Sequence, residues 1–258
     1  MGELEIGQRF KRYEAVTSSL SLTPRTPVII RVDGRAFHTL TKRMHLDKPF
    51  DTSFLNALIK VAHDLCKEMH PVLGYVQSDE ASFVLLDDRK YESQGWFNGE
   101  IQKMTSVSAS VAASAFSMKM DTPCSFDSRA FNIPHHEVAN YFIWRQLDAI
   151  RNARNVWSEF TLGGKIGRGT ARDRLDGLPA RERILLTEAV TGKSFEDIDA
   201  RFRRGVEFRK VPVGRKVWSA VAPPEYVADR DYLKAIFRDY YADGDCPTRD
   251  FEEESPST

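Results

Sequence analysis

Two acidic breaks in otherwise apolar runs are the first candidates for chemistry. Pro27-Val-Ile-Ile-Arg-Val stops at Asp33-Gly34, and Gly74-Tyr-Val-Gln-Ser leads into Asp79-Glu80 before Ala81-Ser-Phe-Val-Leu-Leu86 resumes. Carboxylates that converge repel one another, and they stay together only if a cation lies between them or their pKa values rise. Magnesium suits such an oxygen-only set, because it accepts one or two carboxylates and completes its shell with water and substrate phosphates. Two such ions could stabilise the attacking and the leaving oxygen of a phosphoryl displacement. On spacing alone the same residues also fit a turn and a solvated loop. Gly34-Arg35-Ala36-Phe37-His38 adds successive N–H groups after a strand and a cation, a concavity suited to phosphate oxygens, with Lys42 and Lys48 close behind. No GxGxxG fingerprint or Walker A lysine motif accompanies them, so a nucleotide would be held by a different architecture.

The elements that must position these acids follow from hydrophobic periodicity. Pro27 to Gly34 reads as a buried strand ending in a tight turn. Thr52 to Met69 carries Leu55, Leu58, Ile59, Ala62 and Leu65 at helical spacing. Gly74 to Leu86 reads as a hairpin with the acids at its tip. Trp96 to Met120 is helical again, and its Ser- and Ala-rich centre, Ser106 to Phe116, allows close packing on a sheet. Phe126 to Ile133 is a fourth strand, stopped by Pro134. Strand, helix, strand, strand, helix, strand is the ferredoxin-like βαββαβ order, an α+β fold with an antiparallel sheet and helices on one face. There the first and third strands are antiparallel neighbours, so Asp33 and the Asp79–Glu80 pair meet. His136 to Trp157 predicts a further helix, and the chain beyond about Gly163 reads as shorter helices and loops. The division expected is a catalytic core over 1–160, an appended helical and loop region over 161–240, and an acidic mobile tail over 241–258.

The chain has 258 residues with 37 Lys and Arg against 37 Asp and Glu. Balanced charge gives no argument for a nucleic-acid partner, although basic residues thicken between Arg145 and Arg215. No stretch has the roughly 20 apolar residues of a membrane span, and the N-terminus lacks a signal-like apolar run. A cytoplasmic protein is expected. Cys66, Cys124 and Cys246 have no metal or redox spacing and read as reduced structural thiols.

The ordered blocks Ile30-Arg-Val-Asp-Gly-Arg-Ala-Phe-His38, Lys48-Pro-Phe-Asp51, Gly74-Tyr-Val-Gln-Ser-Asp-Glu80, Trp96-Phe97, Lys103 with Ser106-Val-Ser-Ala-Ser110, Phe126-Asp-Ser-Arg129 and Asn140-Tyr-Phe-Ile-Trp-Arg-Gln146 resemble the tRNA(His) guanylyltransferase superfamily, which includes Thg-like 3′-to-5′ polymerases. The resemblance spans roughly Gly7 to Arg154. It implies a polymerase-palm-like core in which Asp33, the carbonyl of Gly34 and Asp79 hold two magnesium ions, with Glu80 in support. It further implies that Gly34, Arg35, Ala36, Phe37 and His38 grip a nucleotide triphosphate, and that Lys48, Asp51, Ser78 and Lys103 line a second phosphate region. The implied substrates are tRNA, ATP, GTP and other nucleoside triphosphates, and the implied assembly is a homotetramer. The implied reaction activates a tRNA 5′-monophosphate with ATP, or uses a 5′-triphosphate, and then extends that end by attack of an incoming 3′-hydroxyl.

Two departures separate this chain from the tRNA(His)-specific branch. Ile150 stands where that branch has histidine, within Ile150-Arg-Asn-Ala-Arg-Asn-Val156, and Glu100 replaces a basic residue. Both resemble the Thg-like proteins, which repair truncated tRNA 5′ ends against a template. Dedicated tRNA(His) guanylylation and a non-catalytic nucleotide- or RNA-binding module are the alternatives. Arg145, Arg151 and Arg154 form either a tRNA-phosphate stripe or a solvated helix face. Tyr141 and Trp144 sit at helical spacing, where they could stack on bases, but are assigned to the core.

Overall fold

A computed structural model describes residues 3–18, 20–90, 92–211 and 217–242. The elements are α1 (Glu3–Ser18), β1 (Val28–Gly34), α2 (Phe37–Arg43), α3 (Thr52–Met69), β2 (Leu73–Gln77), β3 (Glu80–Leu85), α4 (Ile101–Met120), β4 (Phe126–Asn132), α5 (Val138–Ile166), α6 (Arg168–Leu175), α7 (Ala180–Thr191), α8 (Ala200–Arg204), β5 (Val206–Val211), β6 (Val217–Val221) and α9 (Arg230–Ala242). The strands form one sheet in the order β4-β1-β3-β2-β5-β6, with every adjacent pair antiparallel. β1 and β3 are antiparallel neighbours, as the order of elements predicts, and β4 lies on the other side of β1.

Side chains alternate across a strand, and both faces of this sheet are covered. Ile30, Val32, Val76, Ala81 and Phe83 meet α3 and α4 on one face. Ile29, Leu73, Tyr75 and Val84 meet α5 and α9 on the other. Helices on one face alone is therefore corrected. The small residues of α4 permit close approach, with Ser108 and Ala112 fully buried and the Ser108 and Ser128 hydroxyls 2.7 Å apart.

The region beyond residue 160 also differs from expectation. α6, α7 and α8 pack on the second half of α5, but β5 and β6 then extend the sheet from β2, and α9 returns to its face. Gly205, at φ 77°, enables the join. A Cβ there would sit 2.5 Å from the Tyr75 hydroxyl and 2.6 Å from the Val76 carbonyl, so β5 could not lie against β2. β5, β6 and α9 thus pack with the sheet, and the acidic tail expected over 241–258 lies almost wholly outside the described residues. Two smaller differences concern helix ends. The helix expected from Trp96 starts at Ile101 after a short 3-10 turn, and α5 continues nine residues past Trp157. At 29 residues α5 is about 43 Å long, whereas a seven-residue strand spans about 23 Å, so α5 overhangs the sheet.

Candidate active site

β1 ends at Gly34, and the hairpin joining β2 to β3 turns through Ser78 and Asp79 beside it. The Gly34 amide donates to the Asp79 carbonyl at 3.0 Å, which pins the two acidic breaks together. Ser78 (φ 48°) and Ala36 (φ 57°) are both left-handed without being glycine, a strain that persists where surrounding structure enforces it and that clusters at ligand-gripping sites. Asp33 faces Glu80 on β3 and Asp127 on β4 in register, and Arg31, two residues earlier on the same face, faces Ser82 and Arg129.

The acids feel one another. Burial raises the pKa of Asp33, and Asp127 raises it further, while Arg31, Arg129 and Arg145 oppose the rise. Burial and then the Asp33 charge raise Asp79. Burial also raises Glu80, against the pull of Arg145 and Arg31. Among the described residues no group of three or more His, Cys, Asp or Glu side chains is arranged to hold a metal ion. Asp33 and Asp79 are nonetheless a donor set that fits magnesium: oxygen-only, mutually repelling, and able to leave most of the shell to water and phosphate.

The other expected site residues divide. Phe37 opens α2, a helix inside what reads as a polar loop, and its ring is buried against Phe54, Phe116 and Phe126, so only its main chain can face a ligand. The Gly34 and Arg35 amides are already committed, to Asp79 and to the Ser125 carbonyl. That leaves the Phe37 and His38 amides at the start of α2, since the Thr39 amide already donates to the Ala36 carbonyl, beside exposed Arg35 and His38. Lys48 is exposed on the loop before α3. Asp51 is the N-cap of α3, accepting from the amides of Phe54 and Asp47 at 2.9 Å each and from the Ser53 hydroxyl at 2.5 Å; these bonds hold its pKa down despite partial burial. Phe50 stacks on Phe202 of α8 at 5.0 Å, tying this loop to the helical overhang.

Lys103 is not brought to the acids in this chain. It lies in the first turn of α4, paired with Glu100 at 2.9 Å, while Phe116, thirteen residues on, touches Phe37. At 1.5 Å per residue that separation is about 20 Å. The next residue, Met104, lines a cavity of about 780 Å³ with Val28 and Leu85, at the opposite end of the strands.

Arg145 does not belong to an exposed basic stripe. It is 5% exposed, its Nε lies 2.9 Å from Glu80 Oε1, and its Nη2 donates to Asp148 at 2.9 Å. Arg151, exposed, pairs with the other oxygen of Asp148, and Arg154 is half-buried. Glu80 is thus held by an arginine rather than turned freely toward a metal. Tyr141 is in the core, its hydroxyl 2.9 Å from Ser82, but Trp144 is 53% exposed, contrary to a core assignment. Arg31, Asp127 and Arg129 are the residues sequence reasoning left without a role. The signal was the i, i+2 spacing of Arg31 with Asp33 and of Asp127 with Arg129.

The family model described as "Thg1: tRNAHis guanylyltransferase" matches residues 7–134. A solved bacterial tRNA(His) guanylyltransferase (Thg1)-like protein in complex with ATP superposes with a TM-score of 0.80 at 34% identity, over 90% of this chain and 98% of that one. The chain belongs to the tRNA(His) guanylyltransferase family. Among relatives of this family, the tRNA(His) guanylyltransferase of Schizosaccharomyces pombe is 29% identical over 80% of each chain. A probable tRNA(His) guanylyltransferase of Drosophila melanogaster is 28% identical over 83% of this chain and 78% of its own. The family's GTP-bound bacterial Thg1-like protein also matches, with a TM-score of 0.73. No helix among the described residues is long and apolar enough to cross a membrane.

Proposed function

We propose that this family member adds nucleotides to the 5′ end of tRNA in the 3′-to-5′ direction, reading the opposing strand as template. The observation that carries the reading is the pinned convergence of Asp33 and Asp79 at one end of the sheet. In this reading the sheet is the ferredoxin-like, palm-like catalytic core, and the protein works in the cytoplasm as a homotetramer. Asp33, the Gly34 carbonyl and Asp79 hold two magnesium ions, which when bound neutralise phosphate charge at the reacting centre. The α2 amides with Arg35 and His38 grip the triphosphate, Lys48 and Ser78 serve the neighbouring phosphate region, and Arg151 and Arg154 face tRNA phosphate. ATP and GTP complexes of the bacterial relatives support nucleoside triphosphates as substrates.

The chemistry asks the protein mainly for positioning and electrostatics. A tRNA 5′-monophosphate attacks the α-phosphate of ATP and releases pyrophosphate. The 3′-hydroxyl of the incoming nucleotide then attacks the activated 5′-phosphate, forming the new phosphodiester and releasing AMP. When the end already carries a triphosphate, pyrophosphate leaves instead.

Templating rather than a fixed G is favoured by Ile150, which is 6% exposed and offers shape but no hydrogen bond where the tRNA(His)-specific branch has histidine. Two truncated tRNAs that differ only in the opposing base, cytosine or adenine, should receive G and U respectively when all four triphosphates are offered. Addition of G to both with similar efficiency would instead support dedicated tRNA(His) guanylylation.

A further inference from the structure

We propose that Trp144 is a stacking platform for a nucleobase beside the catalytic acids, a role that rests on the nucleotide-adding reading of this site. A lone exposed aromatic residue means little. Trp144 differs in how it is fixed and in what surrounds it. The Arg145 guanidinium lies 4.2 Å from the centre of the indole ring, and the same guanidinium is 2.9 Å from Glu80, the register partner of Asp33. The Tyr141 ring meets the indole at 5.8 Å, close to perpendicular at 70°. Tyr141 is held in turn by Ser82 at 2.9 Å and by an edge contact with Phe131 of β4. A buried cation and a buried ring thus set the position of an indole that is 53% exposed.

The ligand class follows from that setting. A flat π-system with a cation close by stacks on any base, because every base has a π-face. Two residues before Phe131 on β4 stands Arg129, and two turns beyond Trp144 on α5 stands Arg151. Both side chains are more than half exposed; Arg129 pairs with the exposed Asp127, and Arg151 with the half-buried Asp148. Aromatic face and flanking exposed cations are the combination used for unpaired nucleic acid. The base can belong to the end of the RNA or to the incoming nucleoside triphosphate, and the two sources are separable.

The test uses the full chain with Trp144→Ala and Trp144→Phe, and two probes: GTP, followed by isothermal titration calorimetry, and a tRNA lacking its 5′-terminal nucleotide, followed by filter binding. Trp144→Ala should lose roughly tenfold in affinity for one probe, the source of the base, while Trp144→Phe stays close to wild type. The salt dependence of tRNA binding should not change, since no charge is removed. Wild-type affinity of Trp144→Ala for both probes would overturn the proposal. So would a loss accompanied by a changed sedimentation coefficient, which would place the ring between copies of the chain. Asp79→Ala separates this from the underlying reading: it should abolish addition yet keep the Trp144-dependent binding. If Asp79→Ala still adds nucleotides, the catalytic reading fails while the stacking result stands.

Discussion

At Asp79 the cost of the site can be measured apart from its activity. A carboxylate whose folded pKa is raised binds its proton more tightly in the folded state, so its contribution to stability is fully present below the unfolded value, near 3.8, and is lost as pH rises through the raised folded value. Asp79→Asn removes that penalty. In metal-free buffer at pH 8 it should raise the melting temperature above that of wild type. The gain should shrink as pH falls toward 4. A variant that melts lower than wild type at pH 8 would show that Asp79 is satisfied by partners and not strained. The acids themselves were legible in the sequence because each interrupts an apolar run. Arg145 was not. A helical arginine faces solvent unless a partner waits inside, and its partner Glu80 lies 65 residues earlier.

Between elements, the Glu80–Arg145 contact clamps α5 onto β3 one residue from the hairpin turn. Removing one partner of a buried pair leaves an uncompensated charge, which costs about 3–5 kcal/mol, and Arg31, 4.0 Å from the other Glu80 oxygen, offsets only part of it. Arg145→Met should therefore lose about that much stability in urea unfolding, and adding Glu80→Gln should restore a substantial part. A loss below about 1 kcal/mol for the single variant would mean that the clamp is weak. β1, β3, β4, α3 and the hairpin could be read from period and punctuation. β5 could not, because Glu207 breaks the apolar pattern of Val206-Glu-Phe-Arg-Lys-Val211. That carboxylate is fully buried yet satisfied by the hydroxyls of Tyr226 at 2.8 Å and Tyr232 at 2.7 Å, partners supplied by a part of the chain that periodicity does not connect to it. α2 was hidden for a different reason: at seven residues, starting from a left-handed Ala36, it has no room for an amphipathic repeat.

For the whole molecule, the sheet, with α3 and α4 on one face and α5 and α9 on the other, sets Asp33 and Asp79 at one end. The overhanging half of α5, with α6, α7 and α8, rises beyond that same end. In the proposed reaction Asp33 and Asp79 carry 5′-end nucleotide addition. The direct measurement is incorporation of labelled nucleotide into a 5′-truncated tRNA, with magnesium and all four triphosphates, by wild type and by Asp33→Ala and Asp79→Ala variants whose folding has been checked by circular dichroism. Wild type should add nucleotide at the 5′ end, and both variants should fall below a few per cent of that activity. Comparable incorporation by either variant, or none by the folded wild type, would contradict it.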